Sequence, residues 1–151
     1  MTLDYYDSDA EGYFQETITM DMGVELGRFA DLLPPQGRVL DLGCGSGRDS
    51  RWLLDRGFAV TPLDGSPALS RLAANYLGCE VVVQDYRNLD YDNVFDGVWA
   101  CASLLHCPKT DLPNVINLII RSLKPGGIFY MSFKCGEGEA TDERGRFYSY
   151  L

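Results

Sequence analysis

The stretch RVLDLGCGSGRDSR, residues 38–51, decides the fold. Val39, Leu40 and Leu42 make a short apolar run, Gly43, Gly45 and Gly47 follow at once, and Arg48 to Asp55 resume in helical style. The order is strand, glycine turn, helix. Glycines at alternate positions open backbone angles closed to other residues, and they let a ligand approach the main chain beside the unpaired amides of a helix start. A nucleotide-like ligand suits such a turn. Two phosphate readings weaken on the details. A dinucleotide fingerprint wants its third glycine where this chain has Arg48, and the Gly-Lys-Ser/Thr of a phosphate-gripping loop is absent.

Downstream, a helix through Trp52, Leu53 and Leu54 stops at Gly57, and residues 58–63 read as a second strand ending in Asp64. Strand, helix, strand implies a parallel, right-handed crossover. Asp64 lies 17 residues beyond Gly47, at the carboxyl end of the neighbouring strand, where its carboxylate can accept from two ribose hydroxyls. A helix N-cap is the plainer role, but Ser66-Pro67 already supplies a cap and a first-turn proline to the next helix. That helix carries Leu69, Leu72, Ala73, Tyr76 and Leu77 and finishes at Gly78. Residues 80–84 make a third strand followed by Asp85-Tyr86, an acid able to accept from an exocyclic amine beside a ring able to pack on a base. The alternative is an ordinary loop acid. Residues 95–100 form a fourth strand emerging at Cys101 and leading to His106, and Thr110-Asp111 caps a helix with Pro113 near its start. Residues 128–133 are the fifth strand.

Upstream, residues 1–15 are acidic and rich in tyrosine, and Met20, Val24, Phe29, Ala30 and Leu33 then recur at roughly helical spacing before Pro34-Pro35. At 151 residues the chain suits one domain, 1–151, with a helical lid segment over 1–35 and an α/β core over 36–151. A net charge of −9 with no basic patch argues against nucleic acid or an anionic membrane as partner. Arg48, Arg51 and Arg56, interleaved with Asp49 and Asp55, read as a solvated helix face. The five cysteines, Cys44, Cys79, Cys101, Cys107 and Cys135, show no metal-ligand spacing, so no metal site and no disulfide framework is expected. Without an apolar leader or an 18-residue apolar run, the cytoplasm is the default location.

The run Asp41-Leu-Gly43-Cys-Gly45-Ser-Gly47, with Leu123-Lys-Pro-Gly-Gly127 before the fifth strand, resembles the class I methyltransferases that use S-adenosylmethionine (SAM). Residues 134–139 resemble the loop of small, tellurite-resistance-like members. The resemblance implies a doubly wound, mostly parallel, Rossmann-like sheet of order 3-2-1-4-5. It implies SAM as cofactor, held by Asp41, Gly43, Cys44, Gly45 and Gly47 of the turn, Asp64, Gly65 and Ser66 after strand two, Asp85 and Tyr86 after strand three, and Cys101 after strand four. Tyr13 and Thr17 correspond to lid residues that cover the cofactor, against a plain packing role. The implied reaction is methyl transfer to a small-molecule or metalloid acceptor. A SAM-binding domain without transfer activity, serving regulation or assembly, shares every cofactor residue, and a dinucleotide oxidoreductase is disfavoured by Arg48. His106, the sole histidine, stands where a general base could deprotonate an acceptor, although a lone histidine is more often structural, serving packing or a helix-entry hydrogen bond. Family members continue past the fifth strand with a further helix and an antiparallel strand pair beside that strand. Lacking these, the fifth strand should be an exposed edge, covered by a twofold dimer or by further strands of a longer protein.

Overall fold

The strand, turn and helix around the glycines form as expected in the computed structural model of the chain, which describes residues 2–151. Strand β1 (Arg38–Leu42) enters the turn and a helix, Arg48–Asp55, leaves it. Before them lie α1 (Thr2–Ser8), α2 (Ala10–Thr17) and α3 (Gly23–Asp31), so the helix of residues 48–55 is α4. Next come β2 (Ala59–Asp64), α5 (Pro67–Leu77), β3 (Val82–Val83), β4 (Phe95–Ala100), α6 (Leu112–Ser122) and β5 (Leu123–Met131). The five strands lie in the order β3-β2-β1-β4-β5, and every neighbouring pair is parallel. This is the expected doubly wound sheet, with its switch point beside β1.

Alternation along the strands sorts the core into two layers. Leu40, Leu42, Val98 and Ala100 face one side, where Val115 and Ile119 of α6 cover them. Val39 and Trp99 face the other, against Leu26 and Phe29 of α3 and Leu53 of α4. Trp99 is fully buried, stacks on Tyr130 at 4.0 Å and donates its indole N–H to Asp49 at 2.8 Å. Helix α3 approaches β4 so closely that a Cβ on Gly97 would lie 2.7 Å from Phe29 Cζ and 2.8 Å from Leu33 Cδ2. Ser66 caps α5 by accepting from Leu69 N, with Pro67 in the first turn, and Gly78 ends it at a φ of 70°.

Several boundaries differ from the sequence reading. The third strand is only Val82–Val83, held by β2 alone, rather than residues 80–84. The fifth begins at Leu123 because residues before the Pro-Gly-Gly turn already pair with Phe95, and the register then shifts to resume at Gly97 opposite Ile128. Leu26, Phe29 and Leu33 form the buried face of the α3 region, whereas Met20 and Val24 are exposed. The face of α4 is not simply solvated: Asp49 is buried, and Arg51 reaches the carbonyl of Leu77 at 2.6 Å, closing the end of α5. The sheet ends at β5, as expected. Residues beyond it fold into an antiparallel hairpin of β6 (Glu139–Thr141) and β7 (Phe147–Ser149), which forms a separate two-stranded sheet.

Candidate functional site

Gly43, Gly45 and Gly47 all have left-handed backbones, with φ of 80°, 57° and 87°, so the turn needs glycine at each. The amides of Gly43 and Cys44 both donate to Leu63 O, at 2.8 and 2.9 Å, tying the turn to the end of β2. Asp64 completes the brace. Its Oδ2 accepts from Gly45 N and its Oδ1 from Ser66 N, each at 2.9 Å. Beyond these two bonds the carboxylate keeps acceptor capacity, so it can still accept from a ligand hydroxyl. Burial raises the Asp64 pKa, while the amides of Ser66, Gly45 and Gly65 oppose that shift.

Asp41 lies beneath the turn rather than on it. It is buried, accepts from Ser50 Oγ at 2.7 Å, and is pushed above the carboxylate range by desolvation and by the neighbouring Asp49. Asp49 is held by Arg48 Nε at 2.7 Å and by the Trp99 indole, so Arg48, where a dinucleotide site would have glycine, is anchored below the turn. Beyond β4 the backbone is strained: Ala102 has a φ of 52°, and its amide donates to Ser132 Oγ at 2.7 Å. Ser103 follows. Its Cβ lies 2.5 Å from where a Cβ on Gly43 would stand, and its buried hydroxyl has no hydrogen-bond partner among the described residues. Cys101 beside it is half-buried, its thiol pushed up to about 11 by burial and by Asp49.

The N-terminal helices lie across this edge. Tyr13 places its ring 3.3 Å from the position of a Gly45 Cβ, and Leu3 Cδ1 lies 3.1 Å from that of Gly65. Burial, then the Asp64 charge, pushes the Tyr13 hydroxyl up to about 12. Thr17 Oγ1 donates to Tyr13 O one helical turn back at 2.8 Å. Asp7 accepts from Ser66 Oγ at 3.1 Å and from Ala68 N at 2.9 Å, at the start of α5. Asp85 grips Arg87 and is held below the usual carboxylate range by it, while Tyr86 packs against the core with Leu89 and Leu104. His106 bonds Tyr6 Oη through Nε2 at 2.8 Å and Phe147 O through Nδ1 at 2.7 Å. Burial lowers its pKa to about 4, so the ring is neutral near pH 7.

The structure thus brings Tyr13, Gly43, Gly45, Cys101, Asp64 and Ser66 to one edge of the sheet. It gives Asp41 a place below that edge and Asp85 a partner of its own. Sequence reasoning missed Tyr6, Asp7 and Ser103, whose positions depend on contacts with distant parts of the chain that no local pattern signals. The site fits a nucleoside ligand on three observations: a carboxylate with spare lone pairs at the end of β2, an unpartnered hydroxyl beside Gly43, and an aromatic ring over Gly45. Among the described residues no group of His, Cys, Asp and Glu is arranged to hold a metal ion, and no helix is long and apolar enough to cross a membrane.

Comparison with known proteins agrees with this geometry. A family profile described as "Methyltransferase domain" matches residues 39–127. YqeM of Bacillus subtilis, named as a methyltransferase, is 35% identical over 116 residues, covering 70% of this chain and 47% of the relative. The 2-methyl-6-phytyl-1,4-hydroquinone methyltransferase of Synechocystis is 37% identical over 108 residues, covering 68% of this chain and 33% of its own. In fold, the chain matches the 1,6-didemethyltoxoflavin-N1-methyltransferase of Burkholderia thailandensis, solved with 1,6-didemethyltoxoflavin and S-adenosylhomocysteine bound. That match has a TM-score of 0.73 at 23% identity, over 98% of this chain and 71% of the other. The chain spans a third to a half of the length of the curated relatives it matches, from 33% to 48% in the first three.

Proposed function

Because this chain belongs to the class I SAM-dependent methyltransferases, we propose that it binds SAM at the glycine turn and transfers the methyl group to a small-molecule acceptor. The observation that carries the reading is Asp64, a carboxylate locked to the turn by Gly45 and to the next helix by Ser66, with lone pairs directed to spare. Tyr13 covers the turn, and Cys101 and Ser103 line the exit of β4, where an acceptor meets the cofactor. SAM supplies a methyl group on a sulfonium, whose departing thioether is neutral and needs no proton. What this chain provides is therefore alignment and exclusion of water. The aromatic and apolar cover from α1 and α2 serves the second purpose, and the braced turn the first.

The test is incubation with methyl-labelled SAM and a panel of small acceptors, beside calorimetry with S-adenosylhomocysteine and NADH. Product formation, or binding of the SAM product without NADH binding, supports the reading. Tight NADH binding alone overturns it. We also propose that β5, which pairs only with β4 among the described strands, takes a further strand along its free edge, most simply from a second copy in a twofold pair. Light scattering that finds a stable monomer at high concentration removes that part. The five free cysteines support a reducing compartment such as the cytoplasm.

A further inference from the structure

We propose that His106 is a positioning residue, a latch that holds the N-terminal helices shut across the glycine turn. Phe147 O can only accept, so the Nδ1 of His106 carries the proton and donates to it, at 2.7 Å. Nε2 is then a bare lone pair, and Tyr6 Oη donates to it at 2.8 Å. The two partners together fix the tautomer. The ring therefore joins α1 on one side to β7 on the other, and Thr2 Oγ1 strengthens the join by accepting from Phe147 N at 2.7 Å.

The next residue of the same helix, Asp7, is fastened to the start of α5 by Ser66 Oγ and Ala68 N. On the same two helices Tyr13 lies on Gly45 and Leu3 on Gly65. Helix α1 buries none of its residues completely, and α2 buries only Ala10. So the pair rests on partly buried rings and on these polar fastenings rather than on a fully buried face, and segments of that kind open at low free-energy cost. While the lid is shut, the one lone pair of the imidazole is taken by Tyr6, which leaves no site on it for an acceptor's proton. The role assigned to His106 is thus to control access to the turn and not to move a proton. This inference rests on the reading of the glycine turn as the cofactor site, but its test does not.

The experiment is amide hydrogen exchange on the whole chain without ligand, for the wild type, Tyr6→Phe, His106→Leu and the double variant. Tyr6→Phe removes only the hydroxyl. It should speed exchange across residues 2–17 by about tenfold, as expected for one lost hydrogen bond, with the amides of β1 and β4 unchanged. In the His106→Leu background the same change should have a clearly smaller effect, because the hydroxyl then keeps only its contact with Arg146. Unchanged exchange in Tyr6→Phe overturns the latch, as does an undiminished tenfold effect in the His106→Leu background. S-adenosylhomocysteine is then added to each protein, and both its association and dissociation should be faster in Tyr6→Phe. A wild type that fails to bind it defeats the cofactor reading alone, and the exchange result still decides the latch.

Discussion

Asp64 joins the stability of the turn to the affinity of the site, and its replacement separates the two. Asp64→Ala removes the acceptor for Gly45 N and the acceptor for Ser66 N, both at 2.9 Å. A hydrogen bond to a charged group contributes about 1.5 to 3 kcal/mol. Removing the carboxylate also removes the desolvation cost that raises its pKa, so the net loss of stability should be about 2 to 3 kcal/mol rather than the sum of two bonds. Asp64→Asn keeps one acceptor oxygen but turns an amide donor toward the other backbone N–H, so it should destabilise the turn by a similar amount. Binding reads a different quantity. A micromolar Kd for S-adenosylhomocysteine corresponds to about −8 kcal/mol, and losing charge-assisted bonds to the ribose should weaken it tenfold to a hundredfold, about 1.5 to 3 kcal/mol. Calorimetry on the folded variants gives the affinity, and thermal melts give the stability. If both variants melt earlier yet bind with unchanged Kd, Asp64 is only a brace for the turn and the ribose assignment is wrong.

Three further outcomes follow from the packing and the titrating groups. Gly97→Ala should cost about 1 to 3 kcal/mol in a denaturant titration, because the new methyl group would meet Phe29 and Leu33 at 2.7 and 2.8 Å; an unchanged midpoint would mean that α3 can lift freely from β4. Trp99→Phe should cost about 1 to 3 kcal/mol by leaving the buried Asp49 carboxylate short of a donor, and a melt identical to wild type would contradict that. His106 has a native pKa of about 4, lowered first by burial and then by the Arg146 and Lys134 charges against the opposing pull of Phe147 O and Asp142. The unfolded ring therefore takes a proton first as pH falls below about 6.5, and the folded protein loses stability from there down to about 4, by about 3 kcal/mol in all. Asp41 and Asp64, whose pKa values are raised, titrate with the opposite sign, so the measurement is the difference between wild type and His106→Gln; a flat difference between pH 6.5 and 4 would show that the ring is not held neutral.

What was legible in the sequence is what short-range chemistry dictates. Apolar runs, glycine turns and the Ser66-Pro67 cap located β1, α4, β2, α5 and β4, and their alternation implied a parallel sheet, whose order came from the family resemblance. Asp64 was legible for the same reason, since a strand end is a local feature. Thr17 rests on the resemblance alone, and local pattern does not show that its hydroxyl donates to the Tyr13 carbonyl one turn back. Asp49 misled because charge spacing alone cannot show that the Trp99 indole lies behind it. The resemblance implies a lid over residues 1–35, but its fastenings were not legible: Tyr6 meets His106 across 100 positions, Asp7 meets Ser66 across 59, and Thr2 meets Phe147 across 145. No periodicity in an acidic, tyrosine-rich stretch encodes such partners.

The fastening of α1 to β7 also sets an order of events as the chain is made. Synthesis proceeds from the N-terminus, and domains gather structure as their parts emerge. Strands β1, β2 and β3 can pair as soon as residue 83 is out, but β1 waits for Gly97 to Trp99 to gain its second neighbour. Thr2, Leu3 and Tyr6 are made before every strand of the sheet, yet the backbone and side-chain groups that secure Thr2 and Tyr6 belong to β7 and to a histidine oriented by it. Contacts of such separation form late, because the loop they close is long. On the ribosome the glycine turn would thus be assembled and open while the chain lengthens, and its cover would settle only after Phe147 has emerged.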